Sequence, residues 1–400
     1  MTETAQNGLA GAAKIATTYG PRPLTLVKGA GARVWDDAGN AYLDFSGGVA
    51  VNSLGHCHPA IQQVLSEQAA QLMHVSNLFY NQPQCLLAEK LVELTGPGSV
   101  FFCNSGTEAN EGLIKLARKA GVADGKFEII TATNSFHGRT YGGISATGQD
   151  KVKAGFEPLV PGFTHVPFND LAAVEAAITD KTTAVLIEGI QGEGGIIPAS
   201  PEYLLGLRKL TQEKGCLLLW DGVQCGAFRC GDFQSYTTLL KDVDGGDDFL
   251  PDAIAMAKSL GAGFPIGAVW ISESYAGVLT PGSHGSTFGG NPMACAVALA
   301  VIREVESQNL CENIAAQGNY LVEQLNQKVG AGMIKAVRGC GGLIGMELES
   351  EVDLAELWSK LMKSGLLLVP AANHTLRWLP PLNVTREEIR EALDILEKHL

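Results

Sequence analysis

The 400-residue sequence predicts an α/β protein organised around a mostly parallel, doubly wound sheet. Between about residues 85 and 270, short runs such as AVLIEGI and CLLLWD are apolar throughout rather than at alternate positions. Strands read this way when helices cover both faces of their sheet. Stretches with helical spacing separate the runs, in the strand–helix–strand rhythm of parallel crossovers. Length adds a third observation. A chain of 400 residues exceeds what one core usually holds, so a second, smaller domain is expected.

Taken in order, GARVWDDAGNAYLDF (31–45) reads as a hairpin whose turn uses Asp36, Asp37, Gly39 and Asn40. EANEGLIKLARKA (108–120) is helical, FEII (127–130) is a buried strand and DLAAVEAAITD (170–180) is a helix. AVLIEGI (184–190) is a strand, PEYLLGLRKLTQEKG (201–215) a helix and CLLLWD (216–221) a strand. KDVDGGDD (241–248) is an acidic surface loop that lacks the glutamate-terminated twelve-residue spacing of a calcium loop. DAIAMA (252–257) is the last buried strand. From Pro292 there follow a long helix (PMACAVALAVIREVE), a Gly-rich strand pair and a final helix. The economical division gives a large domain at 59–291. Segment 1–58 and segment 292–400 together supply a smaller α+β domain.

Composition narrows the function classes. Hydrophobic residues at 46%, charged residues at 18% and 48 glycines describe a globular, loop-rich chain, not a disordered or coiled-coil one. The 29 basic and 42 acidic residues leave a net charge of −13. That sign repels phosphate backbones and anionic lipid, so nucleic acid and membrane surfaces are poor partners, while a small anion can still find a locally positive site. The nine cysteines are scattered and form no C-x-x-C, which favours reduced thiols over a disulfide frame or a zinc ribbon. MTETAQNGLAGAAK at the N-terminus has no basic start followed by an apolar run, and no stretch reaches the length of a membrane span. A soluble, cytoplasmic protein is expected.

In a doubly wound sheet the ligand lies beyond the carboxyl ends of the strands, which directs attention to Glu188, Asp221 and Lys258. NSGTEANE (104–111) is a small turn running into a helix. The amides of Gly106 and Thr107 would point out of that helix end toward an anion, although Ser105 or Thr107 as an ordinary cap explains the same residues. Asp221 closes a hydrophobic strand, where a carboxylate needs a cationic or hydrogen-bonding partner. A protonated pyridine nitrogen is one such partner; a salt bridge or a helix cap is another. Lys258 sits between an apolar strand and a glycine-rich turn, surroundings that disfavour the ammonium and leave a nucleophilic amine suited to a Schiff base. In FHGR (136–139) the aromatic can lie on a ring and the arginine can take a carboxylate.

NSGTEANE, SFHGRT (135–140), IQGEGG (190–195), D-x-V-Q (221–224), AKSLGAGFPIGA (257–268) and GSTFGGNP (285–292) occur here in one order. In that order they resemble the class III pyridoxal-phosphate aminotransferases. YGPRPLTLVKGAGARVWDDAGNAYLDFSGG, VNSLGHCHPAI, HVSNLFYNQPQ and LRWLPPLNVT extend the likeness from about residue 19 to the C-terminus. Within the family it is strongest to the acetylornithine aminotransferases. The resemblance implies a fold-type-I transferase with pyridoxal 5′-phosphate as cofactor. Lys258 would hold the cofactor through a Schiff base and shuttle a proton, and Asp221 would keep its pyridine nitrogen protonated. Val223 and Phe136 would cover the two ring faces, Gln224 would bond the phenolic oxygen, and Gly106 and Thr107 would bind the phosphate. Thr287 matches a residue reaching that phosphate from a partner subunit, which implies a homodimer with shared active sites.

On the substrate side, Arg377 matches the arginine that grips a carboxylate common to successive substrates. Glu193 matches the glutamate that pairs with it when an amino group arrives instead. Arg139 and Ser286 match positions that contact acetylornithine. The implied reaction moves the terminal amine of N-acetyl-L-ornithine to 2-oxoglutarate, in arginine biosynthesis. It needs no metal, and HCHP (56–59) lies in a turn before a helix in the resembling family.

The pattern is broken in one stretch. Where the family writes D-E-V-Q-x-G-x-G-R-T-G, this chain has DGVQCGAFRCG (221–231). Gly222 replaces the glutamate, Phe228 a glycine and Cys230 the threonine, and Gly189 stands where a proline usually follows Glu188. Asp221, Val223, Gln224 and Arg229 are kept, so an intact cofactor site with an altered surrounding is expected. Other readings stay open: a succinylornithine, ornithine, acetyl-lysine or succinyldiaminopimelate donor, or a cofactor-binding protein with impaired turnover. GCGGLIG (339–345) looks like a dinucleotide fingerprint, which would suggest an NAD-dependent oxidoreductase. It runs into MELESE rather than a helix, so a strand with close backbone approach is the better reading.

Overall fold

The computed structural model describes residues 11–20 and 22–400. Residues 1–10, most of the stretch inspected above for a leader, and Pro21 lie outside the described residues. The first strands are β1 (Leu26–Ala30), β2 (Arg33–Asp36), β3 (Ala41–Asp44), β4 (Gly98–Cys103), β5 (Glu128–Ala132), β6 (Phe163–Val166) and β7 (Thr182–Glu188). A short hairpin β8 (Ile190–Gln191) and β9 (Ile197–Pro198) leads to β10 (Leu217–Asp221), β11 (Ala253–Met256) and β12 (Gly267–Ser272). The C-terminal part adds β13 (Ile334–Cys340), β14 (Leu343–Leu348), β15 (Leu366–Leu367), β16 (Val369–Ala371) and β17 (Thr375–Trp378).

The central sheet has the order β4-β12-β11-β10-β7-β5-β6. Strands β11, β10, β7, β5 and β6 pair in parallel, whereas β12 runs antiparallel to both β11 and β4. Both faces are buried, and the strand period of two divides the apolar residues between them. Leu218, Trp220, Ile254, Met256 and Trp270 join the larger core, while Leu217, Leu219, Ala253, Ala255 and Val269 pack on the other side. This is why the strands read as unbroken apolar runs. Helix Gly106–Gly121 lies on that second side, against β11 and β12.

The hairpin expected at 31–45 forms from β2 and β3, and the Asp36 side chain closes its turn by accepting from the amides of Ala38 and Asn40. Strand β15 pairs in parallel with β3, so residues from near both ends of the chain share one sheet. A further sheet, β13-β14-β17-β16, carries Arg377 on β17. After residue 292 the sequence predicts a long helix and a final helix; the structure has both, as Pro292–Ser307 and Arg386–Glu397, and adds Leu310–Asn326 directly after the first and Leu354–Lys363 later. Asn309, at φ 52, makes the bend that separates Pro292–Ser307 from Leu310–Asn326.

Candidate active site

The carboxyl ends of β4, β5, β7, β10 and β11 converge on a cavity of about 390 Å³. Of the residues singled out in the sequence, Gly106, Thr107, Phe136, Arg139, Asp221, Val223, Gln224 and Lys258 line it. The loop after β4 ends in Ser105, the true cap of helix Gly106–Gly121, whose hydroxyl accepts from the Glu108 amide at 3.3 Å. The amides of Gly106 and Thr107 are therefore at an open helix end aimed into the cavity, where dipole and free N–H groups favour an anion. A Cβ at Gly106 would stand 2.5 Å from Val223 Cγ1, and one at Gly138 would stand 2.2 Å from Thr107 Oγ1. Close approach explains both glycines. The Thr107 hydroxyl oxygen accepts from the Arg139 amide at 3.0 Å and binds the two loops together.

Asp221, the last residue of β10, is 2% exposed. Its Oδ2 accepts from Asn110 Nδ2 at 2.7 Å and meets His137 Nδ1 at 2.8 Å, and its Oδ1 accepts from the Val223 amide at 3.0 Å. Neither His137 nor Asn110 was singled out from the sequence, though both lie inside motifs that were. Asn110 sits one helical turn after Gly106 and faces the same side, a signal the spacing contained. Glu188 is the register partner of Asp221 on the neighbouring strand and is also buried against the cavity. Among the described residues its carboxyl accepts only from the Phe136 amide, at 3.4 Å. Burial first, and the charge of Asp221 second, push the pKa of Glu188 well above its ordinary value and so favour its protonated form.

Lys258 follows β11 at φ 45, a left-handed conformation unusual for a lysine. Burial lowers its ammonium below the ordinary lysine range; Glu193 opposes that shift and Arg377 adds to it. Arg377 and Glu193 stand beside Gln224 at the edge of the cavity. Arg377 Nη1 donates to Glu193 Oε1 at 2.6 Å and to Gln224 Oε1 at 3.1 Å, and Nη2 donates to the Pro370 carbonyl at 3.1 Å. Burial works against the Glu193 carboxylate, but Arg377 outweighs it and holds the pKa below the usual range. Ser286 and Thr287 are not brought into the cavity of their own chain. Ser286 Oγ accepts from Asn104 Nδ2 at 3.1 Å, and Thr287 is exposed.

A family model described as Aminotransferase class-III matches residues 15–400. The chain belongs to the class III aminotransferases. It is 48% identical over 385 residues to the acetylornithine aminotransferase of Caldanaerobacter subterraneus subsp. tengcongensis, covering 95% of each chain. The Clostridium acetobutylicum protein of the same name is 46% identical over 388 residues, covering 96% of this chain and 98% of the relative. Among solved structures, the ornithine aminotransferase from Toxoplasma gondii superposes with a TM-score of 0.90 at 34% identity, covering 97% of this chain and 92% of that one. The N-acetylornithine aminotransferase from Stenotrophomonas maltophilia gives 0.80 at 35%, covering 94% and 95%.

As a class III aminotransferase the protein has the fold-type-I architecture and depends on pyridoxal phosphate. The cavity fits that group by its donor set: an open helix end for an anion, a buried carboxylate held by three polar contacts, an amine of lowered pKa, and glycines where a side chain would intrude. Among the described residues no group of three or more His, Cys, Asp or Glu is placed to hold a metal ion, and HCHP is the turn that leads into helix Pro59–Ala69, with His58 at its cap position.

The departures from the family's pattern lie behind the cavity. A Cβ at Gly189 would stand 2.3 Å from Trp220 Cζ2 and 2.7 Å from Ser235 Oγ, so the large indole occupies the space a bulkier residue would need. Phe228 packs on Phe233 with ring centroids 5.1 Å apart. Arg229 is fully buried and donates to the carbonyls of Pro380 at 2.5 Å and Gly342 at 3.4 Å; burial lowers its pKa to about 10.

Proposed function

We propose that this aminotransferase moves the terminal amino group of N-acetyl-L-ornithine to 2-oxoglutarate. The products are N-acetylglutamate 5-semialdehyde and glutamate, and the step belongs to arginine biosynthesis. The observation that carries the substrate reading is the Glu193–Arg377 pair beside Lys258. The amine-bearing carbon at the end of acetylornithine has no carboxylate, whereas the corresponding carbon of glutamate and 2-oxoglutarate does. Glu193 on Arg377 neutralises the guanidinium for the first substrate, and a carboxylate displaces Glu193 for the second. Arg139, exposed at the mouth and 5.5 Å from the Phe136 ring centroid, is placed to take the far, carboxylate-bearing end. The relatives named acetylornithine aminotransferase support the same donor.

Gly106 and Thr107 would hold the cofactor's phosphate, Asp221 its ring nitrogen, and Val223 and Phe136 its faces; Gln224 would serve its phenolic oxygen. Bound there, pyridoxal phosphate supplies an electron sink for the charge left when the substrate carbon loses its proton. His137 and Asn110 keep the Asp221 carboxylate oriented. Burial biases Glu188 toward its neutral form, which limits a second negative charge beside Asp221. The Lys258 amine, whose ammonium form burial disfavours, takes the proton from the substrate carbon on Nζ and returns it to the next acceptor atom.

We also assign a homodimer. Leu78, Phe79, Tyr80 and Phe288 are 81%, 70%, 94% and 60% exposed, an apolar surface adjoining Thr287 that a second copy would cover. Thr287 would then complete the partner's phosphate site. The free cysteines agree with a cytoplasmic setting.

The deciding test is the absorbance of the cofactor-loaded protein on adding N-acetylornithine without any oxo acid. Bleaching of the band near the visible edge, restored by 2-oxoglutarate, is the expected result. A band that ignores acetylornithine but responds to ornithine would favour the second reading, which the likeness to the T. gondii ornithine aminotransferase supports.

A further inference from the structure

The loop that carries Glu193 joins β8 to β9, and its backbone is held from outside. Four successive carbonyls each accept from the C-terminal part of the chain. The Ala372 amide donates to Glu193 O at 3.0 Å, and Asn373 Nδ2 donates to Gly194 O at 2.7 Å. Arg338 Nη2 donates to Gly195 O at 3.0 Å, and its Nε donates to Ile196 O at 3.3 Å. Arg338 is itself paired with Glu347, which also meets Lys335 at 2.8 Å.

Ile196 sits at φ 54, where a β-branched residue is strained. Its fully buried side chain is seated on two glycines. A Cβ at Gly339 would stand 2.9 Å from Ile196 Cγ2, and one at Gly345 would stand 2.7 Å from Ile196 Cβ. These glycines are the two ends of GCGGLIG, so that motif serves as the seat of this loop. Strain at Ile196 persists because the surroundings fix it, and Arg338 supplies two of the fixing contacts.

We propose that Arg338 is a positioning residue for Glu193. By pinning the loop it keeps Glu193 on Arg377, so the gate opens through rotation of the Glu193 side chain alone. It thereby sets how strongly the enzyme separates substrates with and without a carboxylate on the reacting carbon. This rests on the reading of the Glu193–Arg377 pair given above. A substrate carboxylate competes with Glu193 for one guanidinium, and the loop's freedom sets the effective concentration of the internal competitor. A looser loop favours the carboxylate and leaves Arg377 uncovered when acetylornithine enters.

The test compares the half-reactions with N-acetylornithine and with glutamate in the holoenzyme and in the Arg338→Met, Asn373→Gly and Glu193→Gln variants. Glutarate binding by calorimetry accompanies it. Glycine at 373 accepts the native φ of 53 and removes only the Nδ2 donor. Losing two charge-assisted contacts in Arg338→Met should lower kcat/KM for acetylornithine relative to glutamate by about tenfold. Glutarate should bind that variant more tightly. Asn373→Gly should move both readouts the same way by a smaller factor, and it carries the test alone if Arg338→Met does not fold. Glu193→Gln should reproduce the shift. An equal loss with both substrates, or an unchanged ratio and glutarate affinity while Glu193→Gln shifts them, overturns the role of Arg338. No shift in Glu193→Gln overturns the gate itself.

Discussion

Among the described residues Lys258 Nζ is the one amine that burial and strand geometry bring into the cavity beside Asp221, and this makes its loss decisive. Lys258→Ala should abolish transamination while the phosphate end of the site still retains cofactor, checked by turnover together with the absorbance of the purified protein. Arg377→Ala should lower kcat/KM for 2-oxoglutarate by a factor equivalent to about 1.5–3 kcal/mol, the range for a lost hydrogen bond to a charged group, with a smaller effect on acetylornithine. Glu188 offers a pH test. Its folded pKa is raised, so the stability it contributes is full below the unfolded carboxylate pKa of about 4.3 and is lost as pH rises toward the folded value. Glu188→Gln keeps the neutral form at every pH. The melting temperature of that variant relative to the native protein should therefore climb as pH rises above the unfolded carboxylate pKa, and a difference independent of pH would refute the raised pKa. Lys258 and Asp221 were legible in the sequence because each ends an apolar strand, where a charged side chain is costly without a purpose. His137 and Asn110 carried no such mark. Their meaning lies in contacts with Asp221, 84 and 111 residues away, which only the fold brings about.

Elements were legible in proportion to how locally they are determined. The strands ending at Glu188, Asp221 and Met256 are continuous apolar runs covered on both sides, and each was read within a residue or two of its place. The antiparallel β12 was not, although GAVWIS is as apolar as its neighbours, since nothing nearby states its partner or direction. Strand β15, two residues long, exists only through its pairing with β3, more than 300 residues earlier. Helix Gly106–Gly121 lies at the legible end, with its cap, first-turn acid and last-turn bases all in the sequence. Ser105→Ala removes the cap hydroxyl and should cost about 1 kcal/mol in denaturant unfolding. Gly106→Ala should cost more than that cap. The new methyl must push Val223 aside, and overpacking of this kind typically costs about 1–3 kcal/mol. Because Val223 lines the cavity, cofactor affinity should fall with it. A Gly106→Ala protein with unchanged cofactor affinity would show that Val223 can move without consequence for the ring.

At the scale of the whole molecule, a single chain leaves two signs of incompleteness in one place: an exposed apolar surface at 78–80 and 288, and Thr287 facing solvent within a family motif. A second copy removes both if Thr287 reaches across. That geometry makes a prediction no single-chain site can imitate. Lys258→Ala and Thr287→Ala chains, mixed and allowed to exchange, form heterodimers in which one active site carries both lesions and the other carries neither. The mixture should then recover turnover at cofactor concentrations where Lys258→Ala is inactive and Thr287→Ala is largely unloaded. With half of the dimers hybrid and one of their two sites intact, recovery approaches one quarter of the native rate, in the ratio expected for symmetric exchange. If Thr287 served its own chain, every site in the hybrid would keep one lesion and no recovery would occur.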